Sequence, residues 1–264
     1  MPLNIEKVKS GAPGPGALVG TEAFASWLLT PAARVPPRPS RPGIHAALFD
    51  LDGVLVDTAA FHYRAWKQLA DELTLPFDEN LNRNFRGVPR MACLDLLLGP
   101  YARGFAIEEK TLLAERKNGY YLDQVMTLQP ADAAPGARTL LAALRAANVR
   151  TAVVSASKNA RLVLELLHLA EQFDAIVDGN DVTKGKPDPQ GFLKAATLLR
   201  SAPSHCVVIE DGEAGIRAAR AAEMPTVGIG PVRGADRAVT GLDQLSLASL
   251  DAALPSPLTP AASL

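Results

Sequence analysis

The sequence predicts an α/β fold: a doubly wound (Rossmann-like) parallel sheet with an inserted α-helical cap domain. Three observations predict it. Five short apolar runs recur along the chain, each followed by a segment with helical spacing. Their apolar character is continuous rather than alternating, as for strands buried on both faces of a parallel sheet. One interval, residues 59 to 128, breaks the alternation and carries helix patterns alone.

Taken in order, residues 1–43 contain GAPGPG and VPPRPSRPG, where Pro and Gly prevent a helix or a sheet ladder from propagating. They read as an N-terminal extension. Within it TEAFASWLLT has the spacing of a short amphipathic helix, with Thr21 as cap and Phe24, Trp27 and Leu28 on one face, expected to dock on the body. The strand candidates are HAALFDL, VRTAVVSAS, FDAIVDG, HCVVIED and PTVGIG, and the intervening helices span residues 159 to 171, 190 to 200 and 213 to 222. AAFHYRAWKQLADEL and IEEKTLLAERKNGYYLDQVM repeat apolar residues at three and four, which is helical. The expected core is therefore residues 44–58 and 129–250, and the cap is residues 59–128. The chain returns to the core at QPADAAPGA, and residues 251–264 form a flexible tail.

Composition excludes several functions. Lys plus Arg number 27 against 28 Asp plus Glu, so no overall basic field attracts nucleic acid or anionic lipid. No window of about twenty apolar residues spans a membrane, and a secretory signal is not expected. Cys93 and Cys206 lie far apart, without metal-ligand spacing, and read as core residues in a reducing compartment.

Ligands in such folds gather at the carboxyl ends of the strands. Asp50 ends the first strand and Asp52 follows at i+2, on the same side of an extended segment, with Gly53 next. An aspartate beside glycine more often caps a turn. The fourth strand brings a second pair, Glu210 and Asp211, to the same edge. Like charges about 4 Å apart repel by roughly 4 kcal/mol at an effective dielectric near 20, so four gathered carboxylates call for a cation. Hard oxygen donors suggest Mg²⁺. SASKN closes the second strand and opens a helix, where backbone N–H groups favour a phosphate; Ser155, Ser157, Lys158 and Asn159 can donate to it, or merely cap the helix. Lys186, in GKPDP, is either a solvated lysine or the counter-charge to a phosphorylated aspartate.

DLDGVLVDT, SASKN, GKPDP and VIEDGEAGI, in this order, resemble the four motifs of the haloacid dehalogenase superfamily, with a cap inserted after the first. The resemblance covers about residues 45 to 240. Within that superfamily TAAFHYRAW, FRGVPR, ERKN and SASKN are similar to segments of the β-phosphoglucomutase family. The resemblance implies that Asp50 is the nucleophile and forms an aspartyl phosphate, and that Asp52 is the general acid and base. It implies Mg²⁺ on Asp50, the Asp52 carbonyl and Asp211, with Glu210 nearby, and phosphate oxygens on Ser155 and Lys186. Thr58 and His62 take hinge and positioning roles, while Trp66, Gly87, Val88, Lys117, Ala156, Ser157, Lys158 and Asn159 belong to the substrate pocket. Arg90, on a cap loop, is implied as the ligand of a second, distal phosphate. Asp57 is expected at the hinge rather than on the metal.

The implied reaction interconverts β-D-glucose 1-phosphate and β-D-glucose 6-phosphate, primed by glucose 1,6-bisphosphate. The alternative is a sugar-phosphate or phosphoglycolate-type phosphatase on the same fold. The expected protein is a cytoplasmic monomer acting on small sugar phosphates. Pro89 and Gly212 depart from the family's pattern, the first expected to stiffen the cap loop and the second to remove a side chain near the metal.

Overall fold

A computed structural model describes residues 43–85 and 87–254. The amphipathic segment at residues 21–30 and the far C-terminal residues lie outside that range. Six parallel strands form one sheet in the order β3-β2-β1-β4-β5-β6, with β1 Ala46–Phe49, β2 Arg150–Val154, β3 Ala175–Val177, β4 Cys206–Glu210, β5 Thr226–Ile229 and β6 Arg237–Val239. The central strands are fully buried, and alternate residues feed different cores. Ala47 and Phe49 join Val153, Val207 and Ile209 on one face, whereas Ala46 and Leu48 join Ala152, Val154 and Val208 on the other. Two buried faces explain the continuous apolar runs. Cys206 belongs to the second face, and both it and Cys93 are buried free thiols.

Between β1 and β2 the chain forms α1 Ala59–Glu72, α2 Glu79–Arg83, α3 Arg90–Leu98, α4 Ile107–Val125 and α5 Ala137–Ala146. The first four enclose their own apolar cluster, with Trp66, Leu69, Phe85, Cys93, Leu94 and Leu98 at its centre. Beyond β2 come α6 Ala160–Leu166, α7 Gln190–Leu198, α8 Glu213–Ala221 and α9 Leu247–Asp251. No helix among the described residues is long and apolar enough to cross a membrane.

Four features differ from the sequence reading. Arg90 opens helix α3 rather than lying on a loop, with Pro89 at the capping position. The helix expected over residues 159 to 171 stops at Leu166: His168 adopts φ 52°, and the Leu169 and His168 N–H groups donate back to the carbonyls of Leu164 and Glu165. That closure turns the chain so that Leu167 and Leu169 are both buried. The β6 strand was not expected, since two of its three residues are exposed and it carries an arginine. The start of the expected tail is docked: Asp251 accepts the Ile44 N–H at 2.9 Å, Leu250 is buried, and Ala253 and Leu254 pack on the core.

Candidate active site

Asp50 follows β1 and Glu210 ends β4, its neighbour in the sheet, so the strand register sets their carboxylates side by side. Asp50, Glu210 and Asp211 each offer an oxygen within 4.8 Å of the others. Two glycines make the approach possible. Gly53 has φ +88°, and a Cβ there would lie 2.2 Å from the Asp211 carboxylate; at Gly215 it would lie 2.1 Å from that of Glu210. Gly212 donates its N–H to Glu210 Oε1 at 3.1 Å, so the backbone supplies a contact where a side chain is missing.

Lys186 enters this cluster from the loop before α7. It is buried, and its Nζ donates to Asp50 Oδ1 at 2.6 Å and Glu210 Oε2 at 2.7 Å. Burial alone would lower its pKa, but the two carboxylates hold it above the ordinary lysine value. One ammonium does not offset the cluster. Burial, then the Asp50 charge, push Glu210 up to about 8, and burial also raises Asp50. Buried oxygens held against their tendency to ionise fit a divalent cation.

The Asp52 carboxylate faces the cap instead. Thr58, fully buried at the start of α1, donates its hydroxyl to Oδ1. His62 Nε2 stands 3.8 Å from the same oxygen. Although burial opposes it, His62 and Thr58 hold the Asp52 pKa below the ordinary value. Asp57 is exposed and accepts the Ala59 N–H at 3.1 Å, just ahead of the capping position Thr58 and outside the acid cluster.

Behind His62 lies Lys117 of α4, whose Nζ is 2.9 Å from His62 Nδ1 and 4.9 Å from the ring centres of both Trp66 and Tyr121. His62 stacks on Tyr121 at 4.2 Å. Burial and then Arg90 pull Lys117 down to about 7, while burial and then Lys117 lower His62. Trp66, expected in the substrate pocket, is 2% exposed in the cap core and supports the site through Lys117.

The seam between cap and core completes the arrangement. Gly87, at φ +69°, lies where an added Cβ would approach Lys186 and Ala214 at 4.0 and 3.9 Å, while Pro89 nests on Gly185. Val88 packs on the cap cluster. In the SASKN loop, the Ser155 hydroxyl oxygen accepts the Ser157 N–H at 3.1 Å and that of Ser157 accepts the Asn159 N–H at 3.2 Å, leaving both O–H groups to donate. Ala156 is half-buried and Lys158 exposed. Arg90 Nη2 donates to Asn118 Oδ1 at 2.7 Å, and Asn159 Nδ2 donates to the same oxygen at 2.8 Å. Asn118 stands next to Lys117 in ERKN, yet it was not expected at the site.

A haloacid dehalogenase-like hydrolase family model matches residues 44–223. The chain is 41% identical over 207 residues to a β-phosphoglucomutase of Bacillus subtilis, covering 76% of this chain and 92% of that one. A phosphorylated carbohydrates phosphatase of Thermotoga maritima is 30% identical, with 68% and 82% covered. Among solved structures, a β-phosphoglucomutase of Clostridium difficile superposes with a TM-score of 0.77 at 37% identity, covering 80% of this chain and 96% of that one. Matched by that family model over residues 44–223 and by a relative 41% identical along most of both chains, the chain belongs to the haloacid dehalogenase-like hydrolase family.

Proposed function

We propose that the chain is a cytoplasmic β-phosphoglucomutase, interconverting β-D-glucose 1-phosphate and β-D-glucose 6-phosphate through β-D-glucose 1,6-bisphosphate. The observation that carries this reading is a second cationic site, apart from Asp50. Arg90 sits half-buried at the seam, bonded to a neutral amide and paired with no carboxylate among the described residues. A hydrolase acting on one phosphate needs only the first site. A mutase must hold a second phosphate while the first is transferred, and a guanidinium suits that task. The name of the Bacillus subtilis relative supports the same reading.

In this mechanism Asp50 attacks phosphorus, the bond to the sugar oxygen breaks, and an aspartyl phosphate remains. Glucose 1,6-bisphosphate supplies the first phosphoryl group. Lys186 and Ser155 hold the transferring oxygens beside the nucleophile. Mg²⁺ would be held by Asp50, the backbone carbonyl of Asp52 and Asp211, with Glu210 alongside; when bound, it neutralises charge on the group in transfer. Held as a carboxylate by Thr58 and His62, Asp52 begins as the base that takes the proton from the incoming sugar hydroxyl. Carrying that proton, it is the acid that protonates the sugar oxygen leaving when Asp50 takes the other phosphoryl group of the bisphosphate. Lys117, buried behind His62, backs the sugar pocket through that ring, and Gly87, Val88 and Ala156 close the pocket from cap and core, excluding water from the phosphoenzyme. Arg90, Ser157, Lys158 and Asn159 grip the distal phosphate.

The test supplies β-glucose 1-phosphate, a trace of glucose 1,6-bisphosphate and Mg²⁺, and measures glucose 6-phosphate and free phosphate together. Glucose 6-phosphate is expected in large excess. Phosphate released faster than glucose 6-phosphate appears would instead assign a sugar-phosphate phosphatase.

A further inference from the structure

We propose that Asn118 is the positioning residue of the distal phosphate site, its side-chain carbonyl aligning Arg90 and Asn159 for an anion without spending the charge of Arg90. The inference rests on the mutase reading above and assigns a specificity-determining role within it.

The three residues come from separate elements. Arg90 opens α3, Asn118 lies on α4, and Asn159 precedes α6 on the core side. Cap and core are therefore joined through one oxygen atom, which accepts at 2.7 Å from Arg90 and at 2.8 Å from Asn159. Each donor group keeps capacity. The guanidinium has most of its N–H bonds uncommitted, and the Asn159 amide retains one more. Fixed on a common acceptor, the remaining N–H groups are ordered near one another before an anion arrives, which lowers the entropy lost on binding.

The chemistry of the acceptor matters as much as its place. An aspartate of the same shape would bond the guanidinium more strongly, because such bonds are charge-assisted. It would also cancel the positive charge that a phosphate requires. A neutral amide holds the geometry and leaves the field intact. Burial further disfavours the charged form of Arg90, so the seam gains from a dianion that replaces lost solvation.

The test compares the full-length wild type with Asn118→Ala and Asn118→Asp, in Mg²⁺ with β-glucose 1-phosphate and a titration of glucose 1,6-bisphosphate. Alanine removes the bridge and keeps the charge; aspartate keeps the bridge and removes the charge. Both variants should raise the half-saturating concentration of bisphosphate about tenfold or more, the value expected for a charge-assisted contact. Its rise should exceed the fall in kcat, and a larger share of phosphoryl groups should reach water. Aspartate should be the worse of the two. Overlapping thermal melts check that both variants are folded. Unaltered half-saturation and product split in both variants, or a fall in kcat alone, would overturn the role of Asn118 while wild-type isomerisation keeps the mutase reading. Free phosphate as the main wild-type product would overturn the reading itself, and this inference with it.

Discussion

Lys186 holds its ammonium nitrogen 2.6 Å from Oδ1 of Asp50, in a site from which both are almost wholly excluded from water. The same nitrogen bonds Glu210, so a single cation serves two buried acids. Lys186→Met removes it and leaves the acids facing one another. Breaking a buried pair by deleting one partner costs about 3–5 kcal/mol. In metal-free buffer near neutral pH the urea midpoint is expected to fall by that equivalent with its slope preserved. An unchanged midpoint would show that Lys186 does not compensate these acids.

Asp52 turns from the acid cluster toward Thr58 and His62, which separates proton transfer from nucleophilic attack. Asp52→Asn is therefore expected to lower kcat by about 10² to 10⁴, the range for a lost acid or base. The nucleophile should survive. With acetyl phosphate, whose leaving group needs no proton, labelled phosphate is expected to accumulate on Asp50 of the variant. A variant that takes up no label would place Asp52 in the attack itself.

Arg90→Ala deletes the cation of the seam without touching the carboxylates around Lys186. Isomerisation of β-glucose 1-phosphate is expected to drop by about a hundredfold or more, in keeping with the loss of a charged, bidentate-capable donor. Slow hydrolysis of small phosphate esters should persist, because these reach Asp50 without a second phosphate. Equal loss of the two activities would count against a distal site at Arg90.

The buried strands were legible because burial on two faces writes itself as an unbroken apolar run: Ala46 and Leu48 face one core, Ala47 and Phe49 the other. β6 lacked that signal, since an exposed edge has no second face to fill. The end of α6 at His168 was hidden for another reason. Its left-handed turn is held by backbone bonds and by the burial of Leu169, not by a glycine. At the site, acids and lysine stood at strand ends, where topology gives them away. Asn118 did not, because its two partners lie 28 and 41 residues away: Arg90 meets it only when the cap helices pack, and Asn159 only where cap and core dock. Trp66 was expected in the substrate pocket, while its burial beneath Lys117 follows from the packing of α1 on α4.

Lys117 gives the last prediction, a pH dependence of stability. Burial, reinforced by Arg90, brings its pKa from 10.5 to about 7. Between those values the unfolded chain binds more protons than the folded one, so unfolding free energy rises with pH across the window. Below about 7 the amine is charged in both states and its full burial cost is present. Lys117→Met, which keeps the length and loses the amine, is therefore expected to melt above the wild type near pH 7. That advantage should shrink toward pH 10, by at most about 1.4 kcal/mol per pH unit. The groups facing Lys117 leave the window clear. His62 and Asp52 are both lowered and have already titrated, while burial pushes Cys93 up to about 12 and Tyr121 higher still. Arg90 remains a cation throughout. Melting both proteins in steps from pH 7 to pH 10 reads the difference directly, and a difference that stays flat would mean that Lys117 keeps the basicity of an exposed lysine.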